Sequence, residues 1–193
     1  FTQLLSKSRA INLLSLARVL LFGARDVWFV VALPVFLYEK VGWSFAQVGS
    51  YMALWVIGYG AVQGATPRIL RHGPGRNEAK HAQHFGFMLA VSPLAIVAAL
   101  ALGAAAGPAV VWGLLVFGVL FAVNSAVHSY LILAYTDSDQ VTANVGFYYM
   151  ANAGGRLLGT ILSGLVYEHS GISGCLVVAG AMLAGSALSA LGL

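Results

Sequence analysis

The chain has 193 residues, of which 60% are apolar and only 8% charged, and its mean hydropathy is +0.86. Soluble domains run near a quarter charged residues because a folded surface must face water, so this composition excludes a soluble globular protein and sets most of the surface against lipid. The formal net charge of +4 is too small and too scattered for a nucleic-acid-binding face, and no nucleic-acid partner is expected.

Residues 1–10, FTQLLSKSRA, lack the apolar core and cleavage site of a signal peptide. They read as a cytoplasmic interdomain linker, with the N-terminal half of a longer protein missing from this sequence. Residues 11–193 read as a six-helix transmembrane bundle. A helix that crosses the bilayer core needs roughly 17–25 mostly apolar residues. Six stretches meet this: 11–38, 45–70, 85–106, 109–135, 144–167 and 172–193. The expected breaks are a short turn at 40–44, the polar loop RHGPGRNEAK, Gly107 with Pro108, then TDSDQ and HSGISG. Barrel strands are excluded by segment length and by the lack of alternation. Lys7, Arg9, Arg68, Arg71, Arg76 and Lys80 fall on one side and only Lys40 in a loop on the other, so both ends are expected in the cytoplasm.

Polar residues inside the spans are unevenly shared. The first span carries Arg18, Arg25 and Asp26, and the second carries Tyr51, Trp55, Tyr59 and Gln63 on one helix face. The fourth carries Asn124, Ser125, His128 and Ser129, and the fifth Tyr148, Asn152 and Arg156. The third and sixth hold nothing more polar than serine. The order polar, polar, plain, repeated, is what a 3+3 inverted repeat produces. An all-α membrane fold built as the C-terminal half of a major facilitator superfamily transporter has that symmetry.

Arg25 lies about 20 Å into its helix at 1.5 Å per residue, near mid-bilayer, and Arg156 lies at similar depth. An arginine at the bilayer centre costs at least roughly 2.5 kcal/mol, so it faces a partner or an interior cavity. Asp26, an ion-pair or proton-coupling group, cannot neutralise three arginines, and the surplus charge suits an anion bound by guanidinium forks. The expected substrate-binding residues are Arg25 and Arg156, with Asn152, His128 and Asn124 as neutral donors. Arg18 joins them unless it snorkels to the cytoplasmic interface, and Tyr59 and Gln63 join from the second span. His128 is equally a proton relay or an interhelical hydrogen-bonding group.

The aromatic stripe is expected to pack or to wall a cavity. Two small-residue ladders, Gly155, Gly159 and Ser163, and Gly60 with Gly64, are expected to permit close helix approach. His72, His81 and His84 fit no metal-ligand spacing and read as a solvated basic loop. The single cysteine, Cys175, lies in an apolar run and supports neither a disulfide framework nor a metal site. No cofactor is expected.

Two other classes draw on parts of the same sequence. An intramembrane serine hydrolase would have only Ser125, His128 and Ser129, without a turn to expose a nucleophile, and no enzyme is expected. A self-assembling six-helix channel or structural subunit is compatible with the length.

The blocks ARVLLFGARDVWFVVALPVFL, WVIGYGAVQ, FAVNSAVHSYLI and GFYYMANAGGRLLGTILSG closely resemble the C-terminal half of the ArsJ-type organoarsenical efflux permeases, members of the major facilitator superfamily. The resemblance runs from the SKSRAIN segment to the last helix. It implies a bacterial inner-membrane exporter of 1-arseno-3-phosphoglycerate that confers arsenate resistance, functionally linked to the glyceraldehyde-3-phosphate dehydrogenase that makes the adduct. Without it, export of another small organic anion fits the same residues. The segment GATPRILRHGPGR departs from the superfamily's cytoplasmic loop motif, with Arg68 standing where an acid is usual.

Overall fold

The structure is a computed structural model that describes residues 8–69, 77–136 and 138–193. Most of the expected linker, Lys7 included, and the basic loop with Arg71, His72 and Arg76 lie outside the described residues. Every described element is helical: α1 Arg9–Phe29, α2 Ala32–Glu39, α3 Phe45–Ile69, α4 Asn77–Ala101, α5 Ala106–Ala134, a 3-10 turn Ser138–Gln140, and α6 Val141–Ala190. Among the described residues, five stretches are long and apolar enough to cross a membrane: Arg9–Glu39, Phe45–Arg68, Lys80–Ala101, Ala106–Ala134 and Val141–Ala190.

The 50 residues of α6 would extend about 75 Å as a straight rod, over twice the ~30 Å bilayer core. They do not run straight. Gly171 leaves helical geometry at φ 61° and ψ −161°, a region open to glycine alone. Beyond it, Cys175 Sγ lies 3.8 Å from the Ser163 carbonyl oxygen, a contact that a straight helix would stretch to about 18 Å. The element is therefore a hairpin of two limbs, 141–170 and 172–190. Where HSGISG suggested a loop, one glycine makes the turn.

Three boundaries differ from expectation. The first span, expected as one helix over 11–38, is interrupted at residues 30 and 31, because Pro34 has no N–H for the Val30 carbonyl and its ring crowds that oxygen. The Ser163 hydroxyl of α6 accepts the freed Ala32 N–H at 3.0 Å. The third span begins at Asn77, since the polar run before residue 85 continues the helix. Its break falls at Gly103 (φ 87°), not at Gly107 and Pro108. Gly103 N–H donates to Leu100 and Ala104 N–H to Ala99, which is a Schellman stop. Pro108 then sits in the first turn of α5, where a missing N–H costs nothing.

Helix α1 is clasped by both limbs of α6. A Cβ on Gly155 or Gly159 would overlap the backbone of Val19 or Gly23, so this ladder does permit close approach. Gly60 and Gly64 meet nothing within 4 Å, and the packing role expected for them is absent from the described contacts. On the other limb the Ser186 hydroxyl donates to the Ala17 carbonyl at 2.8 Å. The two plain helices pair: α4 lies against the second α6 limb, with Gln83 Nε2 donating to the Ala190 carbonyl at 3.1 Å. Helix α3 docks mainly on α5. This order leaves the polar faces of α1, α3, α5 and the first α6 limb joined to one another.

Candidate functional site

Two cationic clusters lie along α1. In the first, Asp26 is 1% exposed and accepts hydrogen bonds through both carboxylate oxygens, from Arg25 Nε at 2.6 Å and from Arg156 Nε at 3.1 Å. The Arg25 side chain is 11% exposed, whereas that of Arg156 is 55% exposed. One carboxylate thus holds two guanidiniums, one on its own helix and one on α6. The cluster keeps a surplus positive charge, and its open side is at Arg156.

In the second cluster, Arg18 is 4% exposed and donates through Nη1 to the Ser125 hydroxyl at 3.0 Å and the Ser125 carbonyl at 3.3 Å. Arg18 does not snorkel: it turns inward to α5. Its guanidinium lies 4.0 Å from the Phe22 ring centroid and 4.8 Å from that of Tyr148. Cation–π contact of this kind replaces part of the lost hydration. Among the described residues it has no carboxylate partner, because Asp26 engages the other two arginines.

Phe22 joins the clusters. Its ring is also 5.0 Å from the Arg25 guanidinium carbon, which bounds the separation of the two guanidiniums at about 9 Å by geometry. Phe22 and Phe121 meet edge to face at 5.1 Å, and Arg25 lies 5.4 Å from the Phe121 ring. Neither ring was singled out from the sequence. The available signal was Phe22's place one turn from each arginine, on their helix face.

The aromatic stripe of α3 is an interhelical clasp. The Tyr51 hydroxyl donates to the Val111 carbonyl at 2.8 Å, and Trp55 Nε1 to the Leu114 carbonyl at 2.9 Å. One turn further on, Tyr59 and Gln63 each approach the Ser125 hydroxyl at 3.4 Å. The same stripe walls an apolar groove of about 370 Å³ between α3 and α5, so packing and cavity lining coexist. From the sequence, Ser125 is one polar residue of the fourth span and raw material for a disfavoured hydrolase reading. Its place as the meeting point of three helices depends on tertiary register.

Of the other expected donors, Asn124 and His128 are each 1% exposed, with Asn124 Oδ1 and His128 Nδ1 buried and without a hydrogen-bond partner. Asn152 is partly buried, and its Oδ1 also lacks a partner. These three sit on the interior faces of α5 and α6, and none forms a hydrogen bond to Arg25 or Arg156. Ser129 donates to the Ser125 carbonyl at 3.0 Å and forms no nucleophile–base pair with His128. His84 Nδ1 bonds its own helix at the Lys80 carbonyl, 2.7 Å away.

A scan against protein-family models finds no match to the chain, and a search of curated proteins finds none. The resemblance to ArsJ-type permeases therefore rests on the residue blocks quoted above.

Proposed function

We propose that the chain is one six-helix half of a major facilitator transporter that exports a small organic anion across a bacterial inner membrane, with both ends cytoplasmic. The observation that carries this reading is the charge balance inside the helices. Among the described residues Asp26 is the one buried carboxylate, and it pairs with Arg25 and Arg156 while Arg18 has none; Arg156 is half open. Buried positive charge without a counter-ion is expensive, and it persists where it binds something negative. Five long apolar elements, the last one a hairpin, are compatible with six crossings, and the pairing of α4 with the second α6 limb is compatible with a 3+3 inverted repeat. An N-terminal half would cover the open side at Arg156 and complete the substrate path.

The substrate we propose is 1-arseno-3-phosphoglycerate, on the strength of the family resemblance. Its oxyanion groups match guanidinium forks, and its supply would come from a glyceraldehyde-3-phosphate dehydrogenase acting on arsenate. The test is arsenate tolerance of a sensitive bacterium that expresses the full-length permease with its dehydrogenase. Arg25→Ala and Arg156→Ala, matched for membrane level, should abolish protection, since one charge-assisted contact contributes about 1.5–3 kcal/mol, roughly tenfold to hundredfold in affinity. Arg→Lys should retain part of it. Full protection by both alanine variants would make these arginines structural, and no protection by the wild-type pair would remove the substrate assignment.

A further inference from the structure

The Ser125 hydroxyl oxygen, on a residue that is 0% exposed, is supplied with more donors than a neutral hydroxyl needs. Arg18 Nη1 reaches it at 3.0 Å, and the Tyr59 hydroxyl and Gln63 Nε2 each at 3.4 Å. A hydroxyl oxygen has two lone pairs and carries no charge, so these groups, from α1 and α3, are underused. Arg18 is underused as well: it is 4% exposed, its Nε is buried without a partner, and no carboxylate among the described residues pairs with it. The same donors around an anionic oxygen would form charge-assisted bonds about twice as strong.

We infer that Arg18, Tyr59 and Gln63 form a second oxyanion subsite, distinct in its partners from the Asp26 cluster, in which the Ser125 hydroxyl stands in for a ligand oxygen. The ligand class is a tetrahedral oxyanion, either free or as the end group of an organic molecule. Tyr59 links this subsite to the apolar groove between α3 and α5, because its ring lines the groove while its hydroxyl faces Ser125. The inference rests on the reading of the chain as an anion carrier and adds to it a second place of binding. Displacement of Ser125 from Arg18 accompanies occupancy, so the serine weakens binding: it is an internal competitor.

The experiment is calorimetric titration of the protein in phosphatidylcholine nanodiscs with inorganic sulfate, and in parallel with glycerol 3-phosphate to separate a free anion from an anionic end group. Loss of one hydrogen bond that involves a charged group shifts affinity roughly tenfold to hundredfold. Ser125→Ala should bind sulfate more tightly by that factor, an effect opposite in sign to that of a lost structural contact. Gln63→Leu should bind it more weakly by a similar factor, and both shifts should persist in an Arg156→Ala background. A glycerol 3-phosphate response to Ser125→Ala without a sulfate response assigns the subsite to end groups; the reverse assigns it to free anions. Unchanged or reversed shifts for both ligands overturn the subsite. If sulfate binding is lost in Arg156→Ala but ignores Ser125→Ala and Gln63→Leu, the carrier reading stands and the second subsite is wrong. If it ignores Arg156→Ala yet follows the other two, the subsite stands and the first cluster is not a binding site.

Discussion

Asp26 on α1 holds Arg156 on α6 across 3.1 Å while its other carboxylate oxygen holds Arg25 at 2.6 Å. The carboxylate thereby occupies the two cations that an anionic substrate would need. On the proposed function an anionic substrate would compete with a group already in place, which would couple binding to the α1–α6 contact. Arg156, with its side chain 55% exposed, is the partner more easily drawn away.

The burial of these groups sets an order of stabilities. Asp26→Ala strands Arg25 in the interior, and loss of one member of a buried pair costs about 3–5 kcal/mol. Arg156→Ala leaves the Asp26–Arg25 pair intact and removes a side chain that is half open. Thermal unfolding in detergent, followed by tryptophan fluorescence, should place Asp26→Ala well below Arg156→Ala. Equal midpoints would mean that the carboxylate is not the centre of the cluster.

A second prediction separates the two glycine ladders. Gly159→Ala puts a methyl group onto the backbone of Gly23, which has no side chain to swing aside, and overpacking of this kind costs typically about 1–3 kcal/mol. Gly60→Ala and Gly64→Ala meet open space and should leave stability unchanged or raise it slightly through helix propensity. Size-exclusion profiles after heating would show the contrast. Similar losses at Gly60 and Gly159 would contradict the close α1–α6 contact.

These two ladders also show what the sequence can disclose. Both have small residues at helical spacing, yet only one meets a neighbour, because spacing reports a face and not what covers it. Helix existence, the apolar lengths and the burial of Arg18, Arg25 and Asp26 were legible, since hydropathy and the cost of buried charge leave few alternatives. Arg156, expected inside as well, has a side chain 55% exposed. That Arg18 turns to Ser125 while Asp26 takes the other two arginines was not, because it depends on the register of α1 against α5 and α6. The break after Phe29 has a local cause in Pro34, although residues 11–38 read as one span from hydropathy. The hydroxyl that accepts the Ala32 N–H comes from a residue more than a hundred positions away.

That hydroxyl carries a third prediction. Ser163→Ala leaves the Ala32 N–H buried at the α1–α2 interruption without its acceptor, at a cost of about 1–3 kcal/mol. Cys175→Ser, whose thiol lies against the carbonyl of the same residue, keeps a donor in place and should be tolerated. The measurement is again the thermal midpoint, with Ser163→Thr as the variant that restores a hydroxyl. If Ser163→Ala is as stable as wild type, the interruption needs no help from α6.

The hairpin at Gly171 makes the number of crossings testable. With the N-terminus inside, the orientation the basic residues favour, the α2–α3 turn at Ser44 would lie outside and Lys80 inside. If α6 crosses twice, His169 beside the turn is outside and Gly192 is back inside; if it crosses once, Gly192 is outside. Ser44, Lys80, His169 and Gly192 are all exposed, and the free thiol Cys175 is buried. Single cysteines at the four positions, in a Cys175→Ser background, are treated on intact cells with an impermeant maleimide. Labelling at positions 44 and 169, with protection at 80 and 192, is the expected pattern. Labelling of 192 together with 44 would reduce the count to five crossings. Labelling of 80 and 192, with 44 and 169 protected, would invert the orientation while leaving the fold intact.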